Sequence, residues 1–470
     1  MSTWLKNKEK EFNLALKQRD VKKMRALFNH VPTVDLAEFA DQVEDPSTLT
    51  FIFKVVPSEL TADFFTELND ATQEKLLMTF SDAELVELIN KSYTDDIVDV
   101  LEDMPANLVT RAIKFVPKER REAVNKLLNY REDTAASIMT TEYFEFNANV
   151  TVEEAMKVIR EKGKTKETIY TVFIRDDKRT LVGTVDLDDL IFANPKQTLD
   201  EVKNKEFLFT RADTDQEEVA AKFKKYDLHA LAVVNKEQKL VGVITFDDIM
   251  DVMEQETSED IALQSGVVPL KDEYMETKPL KMALKCAPWL IALIVIGIFS
   301  EIVLSRFQQK LAVVPALIFF IPVLMDTGGN AGGQTCGLII RGLALREFEL
   351  KDFPKVVWKE IKTAILTGLI VSVFAFSVFM IEFSIPGLIE SNPPLDITQK
   401  LLIATIVSLA LLSAVILSKF VACALPFLAV KFKKDPALTS QPFVTTIVDV
   451  CSLLIYFGIF LAFAVTGFFG

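Results

Sequence analysis

Histidine and cysteine are scarce in these 470 residues, with two of the former (His30, His229) and four of the latter (Cys286, Cys336, Cys423, Cys451). The cysteines all fall in apolar stretches without CxxC spacing, which excludes a zinc site and makes them small packing residues. No His, Cys–His or Ser–His constellation lies in those stretches, so the chain does not read as an enzyme. A basic excess is also missing, with 52 Lys+Arg against 66 Asp+Glu, which argues against nucleic acid as a partner. An apolar leader is missing too: residues 1–10 are polar and charged, so no cleavable signal is expected and the N-terminus is expected to stay in the cytoplasm.

What is present divides in two. From Lys281 onward the chain carries 15 basic and 11 acidic residues, net +4, leaving net −18 on the first 280. The acidic part suits a surface that attracts cations. The remainder holds five mostly apolar stretches, at residues 286–304, 311–345, 363–383, 401–430 and 442–469. Each approaches or exceeds the ~20 residues that cross a ~30 Å hydrocarbon layer, so five transmembrane helices in a lipid bilayer are expected. Basic residues test the orientation. Twelve (Lys278, Lys281, Lys285, Arg341, Arg346, Lys351, Lys355, Lys359, Lys362, Lys431, Lys433, Lys434) lie on the flanks assigned to the inside, and three (Arg306, Lys310, Lys400) outside. That bias places the N-terminus in the cytoplasm and the C-terminus outside.

Ionisable groups within a span are costly and mark a pathway. Asp449 is the eighth residue of Pro442-Phe-Val-Thr-Thr-Ile-Val-Asp449, about 10 Å along the helix, beyond easy reach of the interface for a short side chain. Thr445 stands one turn earlier on the same face, followed by Thr446. The second stretch carries Gly328-Gly329-Asn330-Ala331-Gly332-Gly333-Gln334, preceded by Asp326. Small residues let backbones approach, and Asn330 and Gln334 put amide oxygens on one face, so the segment reads as a packing seam and a pore lining together. Gly328-x-x-x-x-Gly333-Gln334-Thr335 lacks the lysine of a phosphate-binding loop. Lys419, in the fourth stretch, is the feature that favours an anion instead. Asp435-Pro436 has the pattern of an N-cap and first helical residue, predicting the start of the fifth helix there.

In the acidic part, Leu181-Val-Gly183-Thr-Val-Asp186-Leu-Asp188-Asp189 repeats as Leu240-Val-Gly242-Val-Ile-Thr245-Phe-Asp247-Asp248, each after a β-rich run. Residues 1–130 read as helical, with a faint repeat at Val56-Pro57 and Met104-Pro105. The tandem α/β repeat resembles a pair of CBS domains. In that family Gly-x-x-Thr/Ser-x-x-Asp closes over an adenosine ribose. The resemblance therefore implies an adenine nucleotide such as ATP at Gly242, Thr245 and Asp248, while Asp186 stands where the first copy needs a hydroxyl.

An acidic helical domain, a CBS pair and five spans bearing these two motifs together resemble the MgtE family of magnesium channels over essentially the whole chain. The fold class expected is a multidomain membrane protein. Its parts are an all-α domain (1–130), α/β CBS domains (131–200 and 201–256), a connecting helix (257–283) and an all-α transmembrane domain of five helices (284–470). The resemblance implies a homodimer in the plasma membrane that takes up Mg2+. Its pore would be formed by the second and fifth spans, with Asp449 and Thr445 facing the ion and Gly328, Gly329, Asn330, Gly332, Gln334 and Thr446 lining it. It also implies a cytoplasmic Mg2+ sensor at Asp95, Asp99, Asp215, Glu217, Asp227, Asp248, Asp251, Glu256, Glu259 and Asp260. Transport of Co2+ or Mn2+ is the alternative, since few ligand changes separate these ions.

Overall fold

The structure is a computed structural model that describes residues 3–102, 104, 106–270, 274–275, 277–311, 314–385 and 395–465. Pro105 of the helical repeat, residues 312–313 of the second expected span and 466–469 of the fifth lie outside the described residues. The chain divides into two compact units, residues 1–255 and 256–470.

The first unit opens with short helices: α1 (Thr3–Lys17), α2 (Val21–Phe28), α3 (Thr33–Asp41), α4 (Pro46–Val55), α5 (Thr61–Thr66), α6 (Asp70–Thr79), α7 (Asp82–Lys91), α8 (Thr94–Glu102), α9 (Ala106–Ile113) and α10 (Lys118–Leu127). Side-chain caps set many of their starts. Asp45 accepts from Thr48 N at 3.0 Å with Pro46 in the first turn, and Ser81 and Glu84 form a reciprocal capping box. Helices this short are stable only through packing, and Phe12, Phe39, Phe53, Phe64, Phe65 and Leu36 fill their common core.

Two three-stranded sheets follow, β1 (Glu145–Asn147), β2 (Thr171–Arg175), β3 (Leu181–Asp186) and β4 (Phe209–Arg211), β5 (Ala230–Val234), β6 (Leu240–Thr245). In each the first pair is parallel and the second antiparallel. The copies agree in register: Ile174 faces Gly183 and Val233 faces Gly242, with the ladder shifting one residue later in both. Their helices are α11 (Val152–Lys162), α12 (Leu187–Phe192), α13 (Leu199–Val202), α14 (Gln216–Tyr226) and α15 (Phe246–Gln264).

The connecting helix expected over 257–283 is the C-terminal part of α15, which stops at Gln264. Gly266, at φ +73, ends it in a Schellman motif: its N–H donates to Leu263 O and that of Val267 to Ala262 O.

The second unit contains α16 (Pro279–Leu311), α17 (Ile321–Ala344), α18 (Phe353–Glu382), α19 (Ile397–Lys431) and α20 (Gln441–Val465). Among the described residues, four helical stretches are long and apolar enough to cross a membrane: Pro279–Phe307, Leu350–Glu382, Ile397–Lys431 and Gln441–Ala464. The remaining one, α17, has the length at 24 residues, but its Gly, Asp, Asn and Gln lower its hydropathy. Of the four, α19 is the most enclosed, with 56% of its most apolar stretch surrounded by protein against none for α16. The fifth helix does not begin at Asp435-Pro436. Asp435 caps a single 3-10 turn over Pro436–Leu438, accepting from Ala437 N at 2.7 Å, and α20 starts five residues later, after Ser440.

Candidate ion pathway and acidic clusters

The glycine-rich segment of α17 presents two faces. Gly328, Gly329, Gly332 and Gly333 are buried. A Cβ on Gly329 would lie 2.6 Å from Thr445 Cγ2, on Gly332 2.7 Å from Ser418 Oγ and on Gly333 2.7 Å from Gln441 Cγ. Within one chain the glycines therefore seat α17 against α19 and α20. Ser418 reinforces the seam by donating to the Gly328 carbonyl. On the other face Asp326, Asn330 and Gln334, spaced by four, are all exposed.

Asp449 and Thr445 lie one turn apart on α20. The Oδ1 atom of Asp449 is buried and has no hydrogen-bond partner among the described residues. Asp326 of α17 is the neighbouring acidic group that acts on it. Thr446 turns its hydroxyl back to its own helix, donating to Pro442 O at 2.8 Å. A cavity of about 640 Å³ opens between Gln264 and Ser265 on one side and Gly333, Gly337, Gln441, Thr445 and Thr446 on the other. Lys419 does not face a pathway: it is 5% exposed and its ammonium donates to Thr335.

The sensor residues separate into groups. Asp95 is buried, 5% exposed, and meets carboxylates that no local pattern in the sequence announces. The Thr140 hydroxyl lies 3.3 Å from Asp95 Oδ1, 3.3 Å from Glu142 Oε2 and 3.4 Å from Glu167 Oε2. One hydroxyl proton cannot satisfy three carboxylates. Burial, then Glu167 and Asp248, hold the Asp95 carboxyl well above the usual range. Burial and Asp248 push Glu167 up to about 8, and burial together with Asp247 pushes Asp248 up to about 6 despite its bond from Thr245. The only cation paired with the trio is Arg120, 3.6 Å from Glu142, among the described residues.

Asp251 is raised by burial, Glu254 and Asp247, and it acts in turn on Glu67, whose own carboxyl is raised first by burial. Asp260 is pushed up to about 6 by burial, Asp435 and Glu259. Glu256 lies one turn before it on α15 and Asp99 one turn after Asp95 on α8. Asp215, Glu217 and Asp227 are not brought together. Asp215 is the N-cap of α14, accepting from Glu217 N at 3.0 Å, and Asp227 ends the same helix in the left-handed region at φ 50. Eleven residues of helix hold these two ends about 16 Å apart.

At the nucleotide motif, the hydroxyl and the backbone N–H of Thr245 both donate to the Asp248 carboxylate in the first turn of α15. Gly242 leaves room for the Met139 side chain, whose sulfur would stand 2.4 Å from a Cβ. In the first copy Asp186 accepts instead from Thr171 at 2.7 Å.

Comparison with known proteins places these features in one context. A family described as MgtE, divalent cation transporter, matches residues 321–459, the MgtE intracellular N domain matches 31–133, and CBS domains match 135–196 and 199–255. The magnesium transporter MgtE of Thermus thermophilus is 34% identical over 452 residues, 95% of this chain and 96% of the relative. That of Bacillus subtilis is 31% identical over 91% of this chain and 94% of its own. A crystal structure of the soluble part of a magnesium transporter, 27% identical, superposes with a TM-score of 0.50 over 54% of this chain and 99% of that one.

Proposed function

This chain belongs to the MgtE family of divalent cation transporters, membrane proteins and not enzymes, and on that premise we propose that it takes up Mg2+ across the plasma membrane and is closed by Mg2+ bound to its cytoplasmic carboxylates. The observation that carries the reading is Asp449, a carboxylate with a buried, unpartnered oxygen inside an apolar helix. Such an oxygen is costly unless a cation meets it. The Thr445 hydroxyl one turn before Asp449 offers oxygen to a hard cation, and so do the exposed Asp326 carboxylate and Asn330 and Gln334 amides of α17, with no sulfur or imidazole among them. Mg2+ prefers this set and keeps several waters, so few protein ligands suffice. Two copies related by a two-fold axis would bring two such carboxylates to one path. Inward flux needs no nucleotide hydrolysis, since two charges crossing ~100 mV gain about 4.6 kcal/mol.

Closure is assigned to the acids of the soluble unit and α15. Carboxylates about 4 Å apart repel by about 4 kcal/mol at an effective dielectric near 20, and Mg2+ bound between Asp95, Glu142, Glu167 and Asp248 removes that repulsion. Asp251, Glu256, Glu259 and Asp260 extend the acidic track along α15, with Asp99, Asp215, Glu217 and Asp227 as outlying ligands. ATP is assigned to Gly242, Thr245 and Asp248, so nucleotide and Mg2+ share Asp248. The excess of basic residues on one side supports a cytoplasmic N-terminus and an external C-terminus.

Dye-reported Mg2+ entry into proteoliposomes tests this, comparing wild type with Asp449→Asn at low and high Mg2+ on the cytoplasmic-domain side. Wild type should conduct, the variant should not, and cytoplasmic-side Mg2+ should slow the flux. Equal conduction by Asp449→Asn would make that residue structural and end the reading. Asp326 beside Asp449 favours a second reading, in which Co2+ or Mn2+ shares the path. Competition of each ion with Mg2+ entry distinguishes the two.

A further inference from the structure

The end of α15 and the beginning of α20 are joined through one side chain. Gly266, in the motif that closes α15, lies under the indole of Trp289 so closely that a Cβ would stand 2.1 Å from Trp289 Cδ1. The next residue but one, Val268, donates its N–H to the Lys285 carbonyl at 3.3 Å, one turn before Trp289 on α16. From its other side the indole donates Nε1–H to Ser440 Oγ at 2.8 Å. Ser440 is fully buried and caps α20: its hydroxyl accepts from Phe443 N at 3.4 Å and its carbonyl from Val444 N at 3.1 Å. Leu263, in the last turn of α15, packs into the same apolar cluster as Val444 and Val448. Pro288 immediately precedes Trp289 and leaves the Leu284 carbonyl without its helical donor, so α16 lacks one ladder hydrogen bond next to the point where it receives Gly266.

We propose that Trp289 is a positioning residue for ion passage, transmitting the position of the end of α15 to the N-terminus of α20 and so to Thr445 and Asp449. Each link has a physical reason. The glycine contact is hard on both sides, because the ring is rigid and the backbone is locked by the Schellman motif. The indole hydrogen bond is directional and reaches a fully buried hydroxyl. A helix cap fixes where the helix starts, and Asp449 follows nine residues, about 13 Å, further along. This inference rests on closure by cytoplasmic Mg2+ as proposed above.

The test uses the full-length protein in proteoliposomes. Trp289→Phe keeps the ring and removes the N–H. It should conduct as wild type without cytoplasmic-side Mg2+, keep the same preference between Mg2+ and Mn2+, and need about 2- to 10-fold more Mg2+ to close. Ser440→Ala should shift the midpoint the same way, Ser440→Thr should restore it, and Trp289→Phe with Ser440→Ala should be no worse than either alone. Gly266→Ala should also raise the midpoint. An unchanged midpoint in folded Trp289→Phe overturns the inference. Where that variant does not insert, Ser440→Ala decides in the same terms. A wild type that ignores cytoplasmic-side Mg2+ removes the closure reading itself, before any variant is compared.

Discussion

Lys419 gives its ammonium to the hydroxyl of Thr335 at 2.9 Å, and that hydroxyl donates onward to Glu360 Oε2 at 3.3 Å. Three helices, α19, α17 and α18, are thereby joined by one chain of polar groups beside the glycine-rich segment of α17. Lys419→Met should lower stability by about 3 kcal/mol, because Glu360 loses its compensating charge, and Lys419→Met with Glu360→Gln should recover most of it. Thermal unfolding in detergent measures both. A single variant as stable as wild type would mean that the chain contributes nothing.

The buried acids make the soluble unit sensitive to pH with a defined sign. A carboxyl raised on folding binds its proton more tightly in the folded state, so its contribution is full below the unfolded value of about 4.5 and is lost as pH rises towards about 8 for Glu167. In chelator, the melting temperature of the first unit within the full-length protein should fall between pH 5.5 and 8.5. Added Mg2+ should restore it at pH 8.5 and do little at pH 5.5. The same Mg2+ effect at both values would contradict the assignment.

Glycines of α17 should differ in tolerance. Gly329→Ala meets Thr445 at 2.6 Å and should cost about 1–3 kcal/mol with loss of flux, whereas a Cβ on Gly337 meets nothing within 4 Å. Gly337→Ala should therefore leave the melting temperature equal to or above that of wild type.

At the two ends of α14, Asp215→Ala should cost about 1 kcal/mol by removing the cap. Asp227→Gly should add about 0.5 kcal/mol, since Asp227 occupies the left-handed region. If Asp227 also answers to Mg2+, the glycine variant is more stable yet needs more Mg2+ to close. Melting curves and the Mg2+ midpoint of flux report the two effects separately.

Local pattern carried much of the architecture. The doubled Leu-Val-Gly motif announced two sheets whose registers agree at Gly183 and Gly242, and the apolar runs announced the long helices. What the pattern did not contain was convergence. Glu142 and Glu167 reach Asp95 only because the chain after Met139 pairs with β6 at Val243, a tertiary event with no periodic signal. Asp215 and Asp227, named as sensor residues by the family resemblance, stand at the two ends of α14. Asp435-Pro436 has valid start chemistry, yet the turn it starts ends before Ser440. The glycines, read as seam and lining together, form the seam within one chain, and Asp326, Asn330 and Gln334 are exposed.

The composition of α17 also bears on biogenesis. Four helices of the second unit are apolar enough to leave the translocon for lipid unaided. With six glycines and Asp326, Asn330 and Gln334 in 24 residues, α17 has neither the hydrophobicity nor the propensity to do so. Its glycines find their seats on Ser418 of α19 and Val448 of α20, both made later, so the second of the five helices to be synthesised completes its packing only after the fifth.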